Sequence, residues 1–323
     1  MSETADAVTA PSALSTRARV MRAVMRGMVK PVFALGLPVR AQRIAMRAMT
    51  ATNPVARGNR FDQIDLGGVP ALRAQPAQTP ERTVLFFHGG AYCIGSPQTH
   101  RGLISHLARA ARAAVYAPRY RKAPESPHPA ALDDALAAYR GLLAAGATRV
   151  ALAGDSAGGG LALALAHAIR DQGLPQPTAL VLISPWLDLT LAGASHAERA
   201  ARDPLLSGRW LADSARHYAG ADTGNPAVSP AFGEPAGLPP MLIPVGSEEI
   251  LISDSEDLAG SAAEAGVPVQ LHEFDGMWHD FQLHAGLLRE SDEAVAEIAE
   301  FLRARAPAGF LDDSLFEPRA GAP

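Results

Sequence analysis

The sequence predicts an α/β fold with one mostly parallel central sheet and helices on both of its faces. Short apolar segments alternate with longer helical patterns along most of the chain, an alternation typical of parallel sheets. Segments 60–66 and 69–75 are split only by Gly67-Gly68, which predicts an antiparallel hairpin at the leading edge of the sheet. With 323 residues and 48% apolar content, the chain is long enough to form one large domain.

The apolar runs give the expected bounds of the elements. Strands are predicted at 83–87, 113–117, 149–153, 178–184, 240–245 and 267–274. Helices are predicted at 99–111, 129–144, 157–171, 254–265 and about 288–305. Residues 1–15 are small and polar, and residues 305–323 are rich in Ala, Pro, Gly and Asp, so both ends are expected to be loosely held tails.

Charge is unevenly distributed. Residues 7–61 contain ten Lys or Arg and no acid, although the whole chain carries a net charge of −4. Within this region, 17–33 predicts an amphipathic helix with a methionine-rich apolar face and a narrow basic face. We expect the apolar face to pack on the domain and the basic face to meet water. Contact with a membrane surface is the alternative, whereas nucleic-acid binding is disfavoured because no basic stripe continues elsewhere.

Other functional classes are disfavoured by composition. Cys93 is the single cysteine, which excludes an internal disulfide and fits a reducing compartment, so a cytoplasmic location is the expectation. No apolar run approaches the roughly 18 residues that suggest a membrane span. The histidines are scattered without metal-ligand spacing, and no metal or organic cofactor is expected.

Gly154-Asp155-Ser156-Ala157-Gly158 joins a predicted strand to a predicted helix. A serine at such a sharp turn is exposed as a nucleophile, and glycines two residues away on each side give the backbone room. The alternative is a glycine-rich loop without catalytic function. The Ala157 amide would lie at a helix N-terminus, where it can donate to a developing oxyanion.

His88-Gly89-Gly90-Ala91 directly follows the strand at 83–87. Glycines at this position let main-chain amides approach a ligand, so Gly89 and Gly90 are candidate donors to a tetrahedral intermediate. His88 is interpreted as a structural residue of this loop rather than as the catalytic base.

A nucleophilic serine needs a base, and the base needs an orienting acid. His279 follows the last predicted strand, which is the place of the third triad member in the order Ser, acid, His. The acid should follow the strand at 240–245, where Glu248, Glu249 and Asp254 are all candidates. Each of the three could instead be a helix-capping carboxylate.

Five segments together resemble the bacterial hormone-sensitive-lipase-like esterases, the fold-3 group of α/β hydrolases also called family IV carboxylesterases. They are HGGAYCIGS at 88–96, YRKAPE at 120–125, PAALDD at 129–134, GDSAGG at 154–159 and GMWHDF at 276–281. The segments arrive in the family's order and span roughly residues 60–304, which makes the set highly specific. The resemblance implies an α/β-hydrolase fold with a helical cap.

The resemblance also implies roles for individual residues. Ser156 and His279 would be nucleophile and base, and Gly89, Gly90 and Ala157 would form the oxyanion hole. The family's Asp-Pro-Leu motif falls on Glu249-Ile250-Leu251, so glutamate replaces aspartate as the expected triad acid, with Asp254 as the alternative. Ala91 replaces the family's third glycine, with little loss expected because the first two glycines supply the donors.

The family pattern further predicts the domain division and the substrate pocket. Residues 1–58 would form a tail and cap helices, 59–306 the catalytic domain with a cap insertion at about 189–225, and 307–323 a C-terminal tail. The expected pocket residues are Tyr92, Cys93, Trp186 and Trp210. Arg121 and Glu125 are expected to form a structural ion pair. Relatives often dimerise through the edge of the last strand, here 267–274, so a homodimer is possible by analogy.

These residues predict a serine carboxylesterase that cleaves short- to medium-chain esters through an acyl-enzyme. One alternative is a lactone hydrolase with the same triad. A more remote alternative is a non-catalytic small-molecule receptor on the same fold, like the plant gibberellin receptors. Such receptors have lost the catalytic histidine, which this sequence retains.

Overall fold

The computed structural model describes residues 14–305, which form one central sheet of eight strands. The strands are β1 (Arg60–Leu66), β2 (Val69–Gln75), β3 (Arg82–Phe87), β4 (Ala113–Pro118), β5 (Val150–Asp155), β6 (Leu180–Ile183), β7 (Met241–Gly246) and β8 (Val269–Phe274). Their order across the sheet is β1-β2-β4-β3-β5-β6-β7-β8. β2 pairs in antiparallel with β1 and β4, and the remaining neighbours are parallel. The predicted mostly parallel sheet and its leading hairpin are therefore confirmed.

The helices alternate with the strands as predicted. They are α1 (Thr16–Val24), α2 (Lys30–Ala34), α3 (Val39–Thr50), α4 (Arg101–Ala111), α5 (Ala130–Ala144), α6 (Ala157–Asp171), α7 (Ser195–Glu198), α8 (Gly208–Ala219), α9 (Ile252–Glu264) and α10 (Arg289–Arg305). The predicted strands from 83 onward and the five predicted helices match these bounds to within two residues at each end.

Helices cover both faces of the sheet. α5 and α6 contribute to the apolar cluster on one face, and α4 and α10 contribute to the cluster on the other. Every residue of β3, β4, β5 and β7 is buried as a result. This explains why these strands read as continuous apolar runs rather than as an alternating pattern. β8 lies at the edge of the sheet, and its residues are mostly only half-buried.

The N-terminal helix lies only in part as the sequence predicts, because Met21, Met25 and Val29 of the predicted inward face pack on the domain but the other apolar residues of that face do not. Val20, Val24 and Met28 belong to the predicted inward face, yet their exposed fractions are 60%, 37% and 69%. Basic residues instead turn toward the protein. Arg22 forms an ion pair with Glu248, and Lys30 donates to backbone carbonyls of the cap segment.

Two physical causes explain this correction. Residues Met25–Val29 form a π-helical turn, so the periodicity of a regular α-helix does not hold across the segment. In addition, the nearly buried carboxylate of Glu248 needs cationic partners. The side of the helix that packs on the protein is thus formed by Ala18, Met21, Met25 and Val29 together with Arg22, so it combines residues of the apolar face and of the basic face. None of the helices between residues 14 and 305 is long and apolar enough to span a membrane.

The segment expected to form the cap contains α7 and α8. The Trp210 ring of α8 packs against Phe33 of α2, with 5.0 Å between ring centroids, and the Trp210 indole donates to Gln42 of α3 at 2.8 Å. The N-terminal helices therefore contact this segment. The division of the chain at residues 58, 189, 225 and 306 stays a prediction. Residues 1–13 and the tail predicted at 307–323 lie outside the described residues.

Candidate active site

The candidate site lies at the carboxyl ends of the parallel strands, where side chains from distant segments meet. Ser156 sits directly after β5 and before α6, with φ 53° and ψ −123°. This left-handed backbone is a strained conformation for serine, and its amide is held by the Ile183 carbonyl at 2.9 Å. A Cβ added to Gly154 would lie 2.2 Å from the Gly158 carbonyl oxygen, so the turn closes only because residue 154 is glycine.

The predicted oxyanion amides surround this serine. Gly89 packs so closely that an added Cβ would lie 3.1 Å from Ser156 Cβ. Gly90 has φ +119°, a conformation that favours glycine. Ala157 is the first residue of α6. Within residues 14–305 the amides of these three residues make no hydrogen bond, so they are available to a negatively charged oxygen.

Glu249 lies against His279. Its Oε2 accepts from His279 Nδ1 at 2.8 Å, and its Oε1 accepts from the Ser184 hydroxyl at 2.9 Å and from the Gly246 amide at 2.6 Å. Asp254 lies elsewhere, where its Oδ2 accepts from the amides of Leu187 and Asp188. The structure therefore brings Glu249, and not Asp254, to the imidazole.

The second nitrogen of His279 meets another carboxylate. His279 Nε2 lies 3.2 Å from Asp280 Oδ2, and the ring makes no hydrogen bond to Ser156 in the part of the chain that the structure describes. Burial disfavours the imidazolium, but the carboxylates of Asp280 and Glu249 outweigh it and raise the pKa of His279 well above its ordinary value. Sequence reasoning missed Asp280; its position next to the predicted base in a buried loop was the available signal.

Ser156, His279 and Gly90 line one cavity of about 110 Å³. Most of its wall is apolar, and much of it comes from the N-terminal helices and the cap segment. These parts contribute Met25, Phe33, Met46, Met49, Leu206 and Trp210. The methionines were not predicted as pocket residues, although Met25 stood on the methionine-rich face recognised in the sequence.

Of the four predicted pocket residues, only Trp210 lines this cavity. The expectation is corrected for Tyr92, Cys93 and Trp186. Tyr92 is buried because its ring stacks on Tyr218 at 3.8 Å. Trp186 is fully buried, and its indole donates to the Asp188 carbonyl. Cys93 borders a second cavity of about 580 Å³, which Trp210 also lines, and burial raises the pKa of its thiol to about 12.

Two buried histidines support the loops around Ser156. His88 Nδ1 donates to the Gly89 carbonyl at 2.8 Å, and its ring stacks on Tyr120, which fits the structural role expected for it. His100 Nε2 lies 3.0 Å from Asp155 Oδ2, and both side chains are fully buried. Burial lowers the pKa of His100, but the adjacent carboxylate of Asp155 more than compensates and raises it overall. No motif or spacing in the sequence singled out His100.

The ion pair expected between Arg121 and Glu125 does not form. Arg121 binds Asp134 of α5 at 2.7 Å, whereas Glu125 binds Arg43 of α3 at 2.7 Å. Each finds a closer partner on a neighbouring helix, so the segment at 120–125 ties α5 and α3 to the edge of the site. No group of three or more His, Cys, Asp or Glu with metal-binding geometry occurs among the described residues.

Comparisons with known proteins show which family the chain resembles. A profile of the family described as "alpha/beta hydrolase fold" matches residues 84–283. The chain is 49% identical to an acetyl-hydrolase of Streptomyces hygroscopicus over 245 residues, 75% of this chain and 82% of that protein. It is 37% identical over 311 residues to a putative acetyl-hydrolase, LipR, of Mycobacterium tuberculosis, covering 95% and 99% of the two chains. The crystal structure of an esterase from the bacterial hormone-sensitive lipase family superimposes with a TM-score of 0.85 at 37% identity, covering 91% of this chain and 100% of that one.

Proposed function

This chain belongs to the α/β-hydrolase fold family and is a carboxylic ester hydrolase of the hormone-sensitive lipase type, and from this premise we propose that Ser156, His279 and Glu249 are its catalytic triad. The observation that carries the proposal is the 2.8 Å contact between Glu249 and His279 in a site where His279 and Ser156 line one cavity. The amides of Gly89, Gly90 and Ala157, which have no hydrogen-bond partner between residues 14 and 305, belong to segments next to the same serine.

The proposed reaction proceeds in two halves. His279 Nε2 takes the proton of Ser156 as Oγ bonds to the ester carbonyl carbon. The amides of Gly89, Gly90 and Ala157 donate to the resulting oxyanion. The C–O bond to the alcohol breaks, and His279 returns its proton to the departing oxygen. A water molecule, deprotonated by the same imidazole, then attacks the acyl carbon. The bond from this carbon to Oγ breaks, His279 gives the proton to Oγ, and the carboxylic acid leaves.

The Glu249 carboxylate has a defined part in this cycle. Because it accepts from Nδ1, it fixes the tautomer in which Nε2 is free to act as base, and it stabilises the imidazolium after proton transfer. The bonds from Ser184 and Gly246 hold its other oxygen in place. The longer glutamate side chain thus reaches the imidazole as the aspartate of the family motif would.

We further propose that the acyl group is short to medium in length. The cavity beside Ser156 has a volume of about 110 Å³ and is lined mostly by apolar side chains, which suits a small acyl chain better than a long one. Two of the similar proteins are named acetyl-hydrolases, which also supports a short acyl group.

Hydrolysis of p-nitrophenyl acetate, butyrate and octanoate by Ser156→Ala tests the proposal. We expect the substitution to abolish turnover and labelling by a fluorophosphonate probe. Ser105→Ala is the matched control, because Ser105 is also buried but bonds within α4 and to Ala56, away from the cavity. If Ser156→Ala kept more than a tenth of wild-type activity, the assignment would be refuted.

Two proposals concern partners. Val20, Val24 and Met28 form an exposed apolar stripe on a segment that carries Arg17 and Arg19, and we propose that this stripe touches anionic membrane surfaces. Co-sedimentation with phosphatidylglycerol vesicles should be lost in Met28→Glu, and equal sedimentation of both proteins would argue against contact.

The second partner proposal is a homodimer formed through the edge of β8. This strand has no neighbour on its outer side within the described sheet, so it could pair with the same strand of another copy. Light scattering after size exclusion measures the mass, and a monomer at micromolar concentration would contradict the proposal. The buried, single cysteine leads us to retain a cytoplasmic location as a proposal.

A further inference from the structure

His279 is enclosed by two carboxylates, one at each ring nitrogen. Glu249 lies at Nδ1, and Asp280 Oδ2 lies 3.2 Å from Nε2. In the proposed reaction Nε2 is the atom that takes the proton of Ser156. In this structure that atom faces Asp280, and within residues 14–305 Ser156 makes no hydrogen bond to it.

The position of Asp280 is well defined. Its backbone is left-handed, with φ 55° and ψ 31°, a conformation that aspartate tolerates better than most residues. Its amide donates to the Ser184 hydroxyl at 3.4 Å, and the same hydroxyl binds Glu249. The Ser184 hydroxyl therefore contacts both the Glu249 carboxylate and the backbone of Asp280.

The free oxygen of Asp280 points to a role beyond packing. The side chain is buried but lines the cavity that contains Ser156. Its Oδ1 has no hydrogen-bond partner within the described chain. A buried carboxylate oxygen without a partner costs folding free energy, and such groups in native structures call for an explanation, of which a catalytic role is one.

We propose that Asp280 is a positioning residue that holds His279 Nε2 in a resting state of the free enzyme and that this contact must open before Nε2 can accept the proton of Ser156. The inference rests on the proposed function of the triad. Its consequence is that Asp280 sets the lower pH limit of activity, because an ionised carboxylate at Nε2 stabilises the imidazolium form that cannot act as a base.

The charged groups around His279 support this consequence. Glu249 and Asp280 contact the ring directly, and Asp203 also acts on it from the cap segment. On the side of β5, Asp280 faces the Asp155 carboxylate and the His100 imidazole, which lie 3.0 Å apart. No Lys or Arg is among the described residues that line the cavity. The field at His279 is therefore dominated by carboxylates.

The pKa values of Asp280 and His279 are both raised above their ordinary values. Burial raises the pKa of Asp280 to about 7, and Asp280 and Glu249 raise the pKa of His279. His284, which also lines the cavity, has a pKa lowered by burial to about 4 and carries no charge near neutral pH. The ionisation of Asp280 and that of His279 are thus linked, and together they govern the acidic side of the activity profile.

The profile of kcat/KM against pH between 5 and 9 for p-nitrophenyl butyrate tests the proposal with Asp280→Asn. The asparagine side chain keeps the size and a hydrogen-bonding group but lacks the negative charge. Without that charge the pKa of His279 falls, so the unprotonated base persists to lower pH. We expect the acidic midpoint to move down by about one pH unit or more, since an opposite charge within about 4–6 Å shifts a pKa by about 1–3 units, while activity on the alkaline plateau stays within about tenfold of wild type.

Asp254→Asn is the matched control, because Asp254 is an equally buried carboxylate that binds backbone amides rather than His279. Its acidic midpoint should not move. Asp280→Gly gives a second test if the asparagine variant folds poorly, because glycine adopts the left-handed backbone readily; it should show the same shift. The rate of fluorophosphonate labelling against pH reports the same ionisation without substrate turnover.

The outcomes separate the inference from the function on which it rests. An acidic midpoint that stays in place in both Asp280 variants, with Ser156→Ala inactive, would overturn the role of Asp280 and leave the triad intact. A uniform loss of kcat at all pH values would likewise reject the resting-state contact, because it would indicate only a structural role. Activity in Ser156→Ala would instead reject the triad itself.

Discussion

Glu249→Gln is the substitution that tests the orienting acid most sharply. The glutamine carbonyl can replace Oε1 and keep the bonds from Ser184 and Gly246, which lie at 2.9 and 2.6 Å. Its amide group would then face His279 Nδ1 in place of the carboxylate oxygen that is now 2.8 Å away. Two donors cannot share this contact, so the imidazole must carry its proton on Nε2. In that tautomer Nε2 is not a base.

The expected loss of kcat/KM is about 10³- to 10⁴-fold, which corresponds to about 4 to 5.5 kcal/mol of transition-state stabilisation. The loss of folding stability should be much smaller, about 1–3 kcal/mol, because two of the three hydrogen bonds are retained. A large fall in activity with a small fall in stability is therefore the expected result for an orienting acid.

Initial rates with p-nitrophenyl butyrate and urea unfolding of the same preparations give the two quantities. Asp254→Asn is the comparison, because Asp254 was the alternative acid in the sequence and lies away from the imidazole. We expect Asp254→Asn to keep at least a tenth of wild-type kcat/KM. The reasoning fails if Glu249→Gln retains more than a hundredth of wild-type activity, or if Asp254→Asn loses more activity than Glu249→Gln.

Two other substitutions have outcomes fixed by the structure. Trp210 lines both the cavity of about 110 Å³ at Ser156 and the neighbouring cavity of about 580 Å³. Trp210→Ala should therefore join the two cavities and raise the ratio of kcat/KM for the octanoate ester to that for the butyrate ester about tenfold. An unchanged ratio would mean that Trp210 does not limit chain length. His100→Leu should lower the free energy of unfolding, measured by urea titration, by about 3–5 kcal/mol, because it leaves the Asp155 carboxylate buried without its partner. A loss below about 1 kcal/mol would show that water compensates the charge.

Most of the fold could be predicted because its signals are local. β3, β4, β5 and β7 are covered on both faces, so they appear as apolar runs with sharp ends. The orientation of α1 could not be predicted in this way. Its buried side is set by a π-helical turn and by Glu248, more than 200 residues away in the chain. A helical wheel contains neither piece of information.

The candidate triad was readable for a similar reason. Ser156, Glu249 and His279 follow the ends of β5, β7 and β8, and parallel strands bring such positions to one edge of the sheet. The choice between Glu249 and Asp254 needed the family register as well, because both carboxylates lie just beyond β7. Arg121 and Glu125 illustrate the limit. They are neighbours in one motif, but each binds a residue on a different helix, and nearness in sequence says little about which side chains pair.

The sequence predicted the reacting groups of the site but not the residues that line its cavity, because different parts of the fold place the two sets. The proposed chemistry depends on backbone amides and on side chains at strand ends, whose positions are fixed by the sheet. The cavity wall depends on Met25, Met46 and Met49, which come from helices placed by tertiary contacts alone. Methionine side chains are flexible and fill irregular spaces, so the shape of the wall depends on every neighbour that packs against it. Substitutions in these helices should therefore change which esters are cleaved and leave the pH profile of the reaction unchanged. Asp280→Asn should instead shift the pH profile and leave the choice of ester unchanged.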